Sequence, residues 1–143
     1  MRKFLFAAFI AIAALFSNSV LAADEDAREF VKLPDMMKQH MLGNMRDHLL
    51  ALHEIQTALA KGKLDQAGDI AEHRIGMSSL AMHNAAHMAP FMPKGMQDIG
   101  TEMHHAASRF AITAQEGDLP KALEALSNVT QQCVACHAGY RIH

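Results

Sequence analysis

The chain has no tryptophan, one tyrosine and only two cysteines among its 143 residues. With so few aromatics, and no alternating β-branched runs, little in it favours a strand, and a core built on a sheet is not indicated. Two cysteines cannot make a disulfide scaffold, and a bridge between residues only three apart would constrain the unfolded chain very little. Charge of one sign is also missing. The formal net charge is −2, which excludes the basic face that nucleic acid requires, and no polybasic run offers a site to anionic lipid. There is no glycine-rich phosphate loop, no H-E-x-x-H, and no Ser-His-Asp or Cys-based nucleophile arrangement, so no enzyme is expected. The length predicts one domain.

The only long apolar run lies at the N-terminus. Arg2 and Lys3 precede an apolar stretch from Phe4 to Phe16, and Ser17, Asn18 and Ser19 lead to the small-residue exit at Ala22. This is the pattern of a secretory signal peptide, with an apolar core too short for a usual membrane span. Residues 1–22 are expected to be removed, with cleavage after Ala23 as the second choice. The mature chain, residues 23–143, is then exported without a stable membrane anchor, and the bacterial periplasm is the expected compartment.

What is abundant favours helix: Ala, Leu, Met, Gln, Glu and Lys. Turn residues divide the mature chain into four stretches. The first follows Pro34, carries Met37, Met41, Met45, Leu49, Leu52, Ile55 and Leu59 as one apolar stripe, and closes at Lys61-Gly62-Lys63. The second runs from near Asp65 through Ile70, Met77, Leu80 and Met88 until Pro90 and Pro93 break it. A third spans Lys94 to Glu116, with Ile99, Met103, Ala106, Phe110 and Thr113 inward, and Gly117 ends it. The fourth opens at Asp118, a good N-cap, with Pro120 in the first turn; Leu123, Leu126, Val129, Cys133, Cys136, His137 and Tyr140 then follow the helical period. Four helices of about 22 to 28 residues with short links predict an all-α, antiparallel four-helix bundle of up-down-up-down order.

Both cysteines fall in one motif on the fourth helix, "CVACH". It matches the C-x-x-C-H pattern of c-type haem attachment. On a helix, Cys133, Cys136 and His137 share a face. Two thiols can reach the two vinyl groups of one porphyrin as thioethers, and the adjacent imidazole can rise to the iron. The expected cofactor is therefore one covalent haem c, with His137 as proximal axial ligand. Haem is loaded onto such motifs outside the cytoplasm, which agrees with the independent export signal. A redox C-x-x-C of the thioredoxin kind would sit in a βαβ context, which is lacking, and a zinc site would need a second ligand pair.

A C-x-x-C-H followed by "AGYR" on the fourth helix of an exported helical chain resembles the class II c-type cytochromes, of which cytochrome c′ is the best known. The resemblance covers the mature chain in architecture and Cys133, Cys136, His137, Tyr140 and Arg141 in motif. It implies a haem at one end of the bundle, with the sixth iron position facing the first helix. In an antiparallel bundle the end of the fourth helix is level with the beginning of the first. That region, "MMKQHMLGNMRDH", offers Met36, Met37, His40, Met41, Met45 and His48. The family's distal position, about four turns before the glycine that closes the first helix at 1.5 Å per residue, falls at Met45 and Arg46. Met45 is the expected distal ligand and Met41 the reserve. A methionine here departs from five-coordinate cytochrome c′ and resembles the low-spin, methionine-ligated branch. Arg141, one turn past the motif, suits a haem propionate, and Tyr140 is expected to pack beside the haem or the helix seam.

Histidine–methionine ligation predicts an electron carrier working with redox partner proteins. An alternative is a five-coordinate protein that binds a diatomic gas, NO or CO. A third reading is a His/Met-rich copper-binding protein, using His83 and His87 on one side of the second helix, with His104 and His105 on the third. Bundles of this kind commonly pair, so a homodimer is an open expectation, although no seam is legible.

Overall fold

The computed structural model describes residues 26–143; the expected signal peptide and its cleavage site lie outside the described residues. The chain is mostly helical, as the composition predicts, with five α-helices among the described residues. A short strand β1 (Glu29–Phe30) leads into α1 (Asp35–Ala60), followed by α2 (Leu64–Arg74). A connection with two single 3₁₀ turns and the one-turn α3 (Ala85–Met88) leads to α4 (Lys94–Gln115). Finally α5 (Leu119–Gly139) runs directly into β2 (Tyr140–Arg141). No helix of the described residues is long and apolar enough to cross a membrane.

Helix ends follow local chemistry. Gly62 and Gly117 adopt left-handed backbone (φ 67° and 78°) and stop α1 and α4, as non-glycine residues rarely could. Asp118 caps α5: its carboxylate accepts from the Lys121 N–H at 3.1 Å, and the Pro at the following turn lacks only an N–H that no helical carbonyl needed.

The second helix is half the expected length. It ends at Arg74 rather than continuing to Pro90. Gly76 takes an extended backbone, and its N–H bonds back to the Ala71 carbonyl at 2.7 Å. The Glu72 side chain then folds over the end, accepting from the Ser78 N–H at 3.1 Å and the Ser78 hydroxyl at 2.5 Å. A Cβ at Gly76 would lie 2.5 Å from Glu72 Oε2 and 2.8 Å from Glu72 Cα, so the glycine admits this close return.

α2 packs against α1 and α4, and α4 against α5. Two apolar clusters result. The larger joins α1, α2, α4 and α5 around Ile55, Ile75, Phe110 and Val129, with many alanines between them. Small residues let the helices approach closely: a Cβ on Gly68 of α2 would sit 2.9 Å from the Ala111 carbonyl of α4. Arg74 ties α2 to α1 through Asp47 (Nε to Oδ2, 3.2 Å) and Glu54. The smaller cluster, at the end where α1 begins and α5 finishes, contains Val31, Leu33, Met41, Met88 and Met96, with Met37, Met92, Cys136 and Tyr140 packed against it.

The two short strands pair in parallel, Glu29 with Tyr140 and Phe30 with Arg141. The Val31 N–H donates to the Arg141 carbonyl at 2.8 Å. The segment entering α1 is thereby joined to the segment leaving α5.

The buried face of α1 departs from the expected stripe. Met41, His48, Ala51, Ile55, Ala58 and Leu59 are buried, but Met45 is 36% exposed and Leu49 70%. Leu123 of α5 is likewise exposed rather than inward. Ile99 and Thr113 of α4 are only half-buried.

Candidate functional site

The helical turn from Cys133 to His137 lies wholly within α5. Cys133 and Cys136 are free thiols, both half-buried. Cys133 packs against the larger cluster and Cys136 against the methionine-rich one, so the pair straddles the seam between them. Burial pushes both thiols up from their ordinary value. They are therefore protonated and poorly nucleophilic as they stand, unlike the electropositive, low-pKa thiols of redox C-x-x-C sites. His137 is exposed beside them.

The methionines of the first helix divide between two environments. Met41 is buried in the cluster that also holds Cys136. Met45, one turn on, belongs to neither cluster. Together with Leu49 it forms an uncovered apolar flank of α1, while Val134, directly after Cys133, is 68% exposed. Arg141 faces Asp26 (Nε to Oδ2, 3.5 Å) and stacks over the Phe30 ring at 5.0 Å. Tyr140 packs at the start of α4: its hydroxyl lies 2.5 Å from where a Gly95 Cβ would be.

The donor set suits a covalently held porphyrin. Two unpaired thiols one turn apart and an imidazole next to the second match the donors of a c-type haem attachment pattern.

No family model, curated protein or solved structure matches the chain.

The histidines are arranged differently from the expected pairs. His83 and His87 do not share a helix face: His83 precedes α3, Asn84 between it and that helix is left-handed (φ 54°), His83 is buried and His87 exposed. His104 and His105 also part, inward and outward. The inward pair meets His48 of α1, forming a buried histidine cluster. The His83 carbonyl accepts from His40 Nε2 and Asn44 Nδ2, each at 3.0 Å, which anchors the connection to α1. Burial lowers the pKa of all three, that of His48 to about 4, with the neighbouring imidazoles adding to the effect at His48. Sequence reasoning placed His48 only among distal-ligand candidates. The available signal was its position seven residues after Met41 and seven before Ile55, on the same helical face.

Proposed function

We propose that this chain is a periplasmic monohaem c-type cytochrome, similar to the methionine-ligated class II cytochromes, that carries single electrons between partner proteins and catalyses no reaction of its own. In this reading the four longer helices form an antiparallel bundle with the haem at one end. The observation that carries it is the pair of free, half-buried thiols one turn apart on α5 with His137 beside them. The pairing of β1 with β2 supports it further, because it brings the end of α5 level with the beginning of α1.

Cys133 and Cys136 would hold haem c through two thioethers, and His137 would be the proximal ligand. Met45 would supply the distal sulfur. It is preferred to Met41 because Met41 is already committed to a packed cluster, whereas the Met45 side chain is free to turn toward a ligand. Arg141 would exchange its ion pair with Asp26 for a propionate. Bound there, haem supplies a one-electron couple whose potential histidine and methionine ligation together raise. With His137 and Met45 both committed to the iron, these residues would exclude exogenous ligands and leave outer contact as the route for electrons. Encounters with redox partners would be weak and brief, as such interfaces are small.

The mass and absorption spectrum of the natively exported protein test this. A mass raised by one haem, with a ferric far-red band from methionine sulfur, is the expected result. Met45→Ala should convert the spectrum to high-spin and admit CO, while Met41→Ala should not. The reverse pattern transfers the role to Met41. A wild-type protein that is high-spin and binds CO readily replaces the carrier by the gas-binding reading, and an unmodified mass ends both.

A further inference from the structure

We propose that His48, His83 and His104 form a metal site, separate from the C-x-x-C-H motif, for a divalent first-row transition ion, with zinc and copper(II) the best matched. Three different parts of the fold supply the side chains: α1, the connection before α3, and α4. All three are more than nine-tenths buried, with 6%, 4% and 8% of their surface exposed. Their ring centroids lie 4.6 Å (His48–His83), 5.5 Å (His83–His104) and 6.2 Å (His48–His104) apart. Imidazoles sharing one tetrahedral ion at a metal–nitrogen distance of about 2 Å place their ring centres roughly 5 Å apart.

The hydrogen bonds around the rings fix which nitrogen is available. Ser79 Oγ donates to the Gly76 carbonyl at 2.7 Å, so its proton is committed, and it accepts from His83 Nδ1 at 3.1 Å. His104 Nδ1 meets the Ile75 carbonyl at 2.5 Å, and a carbonyl can only accept. Both rings therefore carry their proton on Nδ1 and a lone pair on Nε2. This is the outer hydrogen bonding that orients metal-binding histidines. Nε2 of His48 and Nε2 of His83 are fully buried and have no hydrogen-bond partner. Apolar side chains would pack such a space without orphaned nitrogens, and an ion would satisfy them. Among the described residues no three such donors stand ready gathered around an ion, so the His48 ring, which no hydrogen bond holds, must turn toward the other two when one binds.

Access and charge also suit a cation. A cleft of about 350 Å³ lined by Asn44, Asp47, His73, Arg74, Met82 and His83 reaches the cluster at His83. At it the one guanidinium, Arg74, is paired with Asp47, so no unpaired guanidinium opposes a cation there. Neutral imidazole nitrogen favours zinc, copper and nickel over calcium or magnesium.

The test is zinc chloride titration of the purified mature protein by calorimetry, with zinc-edge X-ray absorption on the loaded sample. One zinc per chain is expected, with three imidazoles and no sulfur around it. His48→Gln and His83→Gln should each weaken uptake at least tenfold. Ser79→Ala, which frees His83 Nδ1, should weaken it less but measurably, and His87→Gln, on the exposed side, should leave it unchanged. Uptake that survives both cluster substitutions, uptake lost in His87→Gln, a sulfur shell, or fewer than three imidazoles would overturn the proposal. Should the cluster variants fail to fold, Ser79→Ala and the absorption spectrum of the wild type decide alone. The readouts do not depend on the haem reading.

Discussion

At Gly76 a single hydrogen atom in place of a side chain lets the chain fold back over Glu72. Alanine there would displace the Glu72 backbone as well as its carboxylate, and overpacking of this kind costs about 1–3 kcal/mol. The urea midpoint of Gly76→Ala should fall accordingly, with an unchanged slope; a midpoint equal to wild type would show that the turn relaxes freely. The same scale explains why the buried face of α1 was only partly legible. A stripe read from methionines and leucines includes Met45 and Leu49, which are exposed, and passes over Ala51, Ala58 and His48, which are buried. Where helices pack closely, small side chains such as Ala51 and Ala58 can face the contact beside Ile55, while Met45 and Leu49 lie on its flank. The grouping of Cys133, Cys136 and His137 on one helical turn was legible because it depends on their spacing alone.

Among the helices, α1 and α4 begin and end, and α5 begins, within a residue or two of where proline, glycine and capping residues predict, while Tyr140, expected on the fourth helix, lies in β2. The exception is α2, whose apolar residues continue in helical period past its end. The stop is set by the Glu72–Ser78 contact, which involves no helix-breaking proline and leaves no periodic trace. Removing the cap of α5 with Asp118→Ala should cost about 1 kcal/mol, visible as a lowered thermal midpoint. Phe110 of α4 is wholly buried in the larger cluster, and Phe110→Ala should cost about 3–5 kcal/mol, read as a lowered midpoint in chemical denaturation. A loss below about 1 kcal/mol would mean that the alanine-rich surroundings collapse into the gap.

For the whole molecule, the histidine cluster makes stability depend on acidity. His48 titrates near 4 in the folded chain against 6.5 when free of it, and His83 and His104 are shifted the same way. Asp47 opposes the shift at His48 and His83, and Arg74 reinforces it at His48, but burial is the largest cause. The unfolded chain therefore binds protons first as pH falls, and protonation favours unfolding. Stability measured with a chelator present should be at its full value above pH 6.5 and decline progressively toward pH 4, and His48→Leu should flatten that decline. A urea midpoint independent of pH across this window would contradict it. The cluster could not be found by pattern, because its members are distant in sequence and two of them, His83 and His104, each have a more obvious neighbour, His87 or His105. Equally hidden was the pairing of β1 with β2, two residues on each side with no alternation to betray them. That pairing joins residues over a hundred positions apart, the kind of contact whose loop-closure entropy is met late in folding. During synthesis Glu29 and Phe30 must wait for Tyr140 and Arg141, made more than a hundred residues later, before the molecule can be fastened shut.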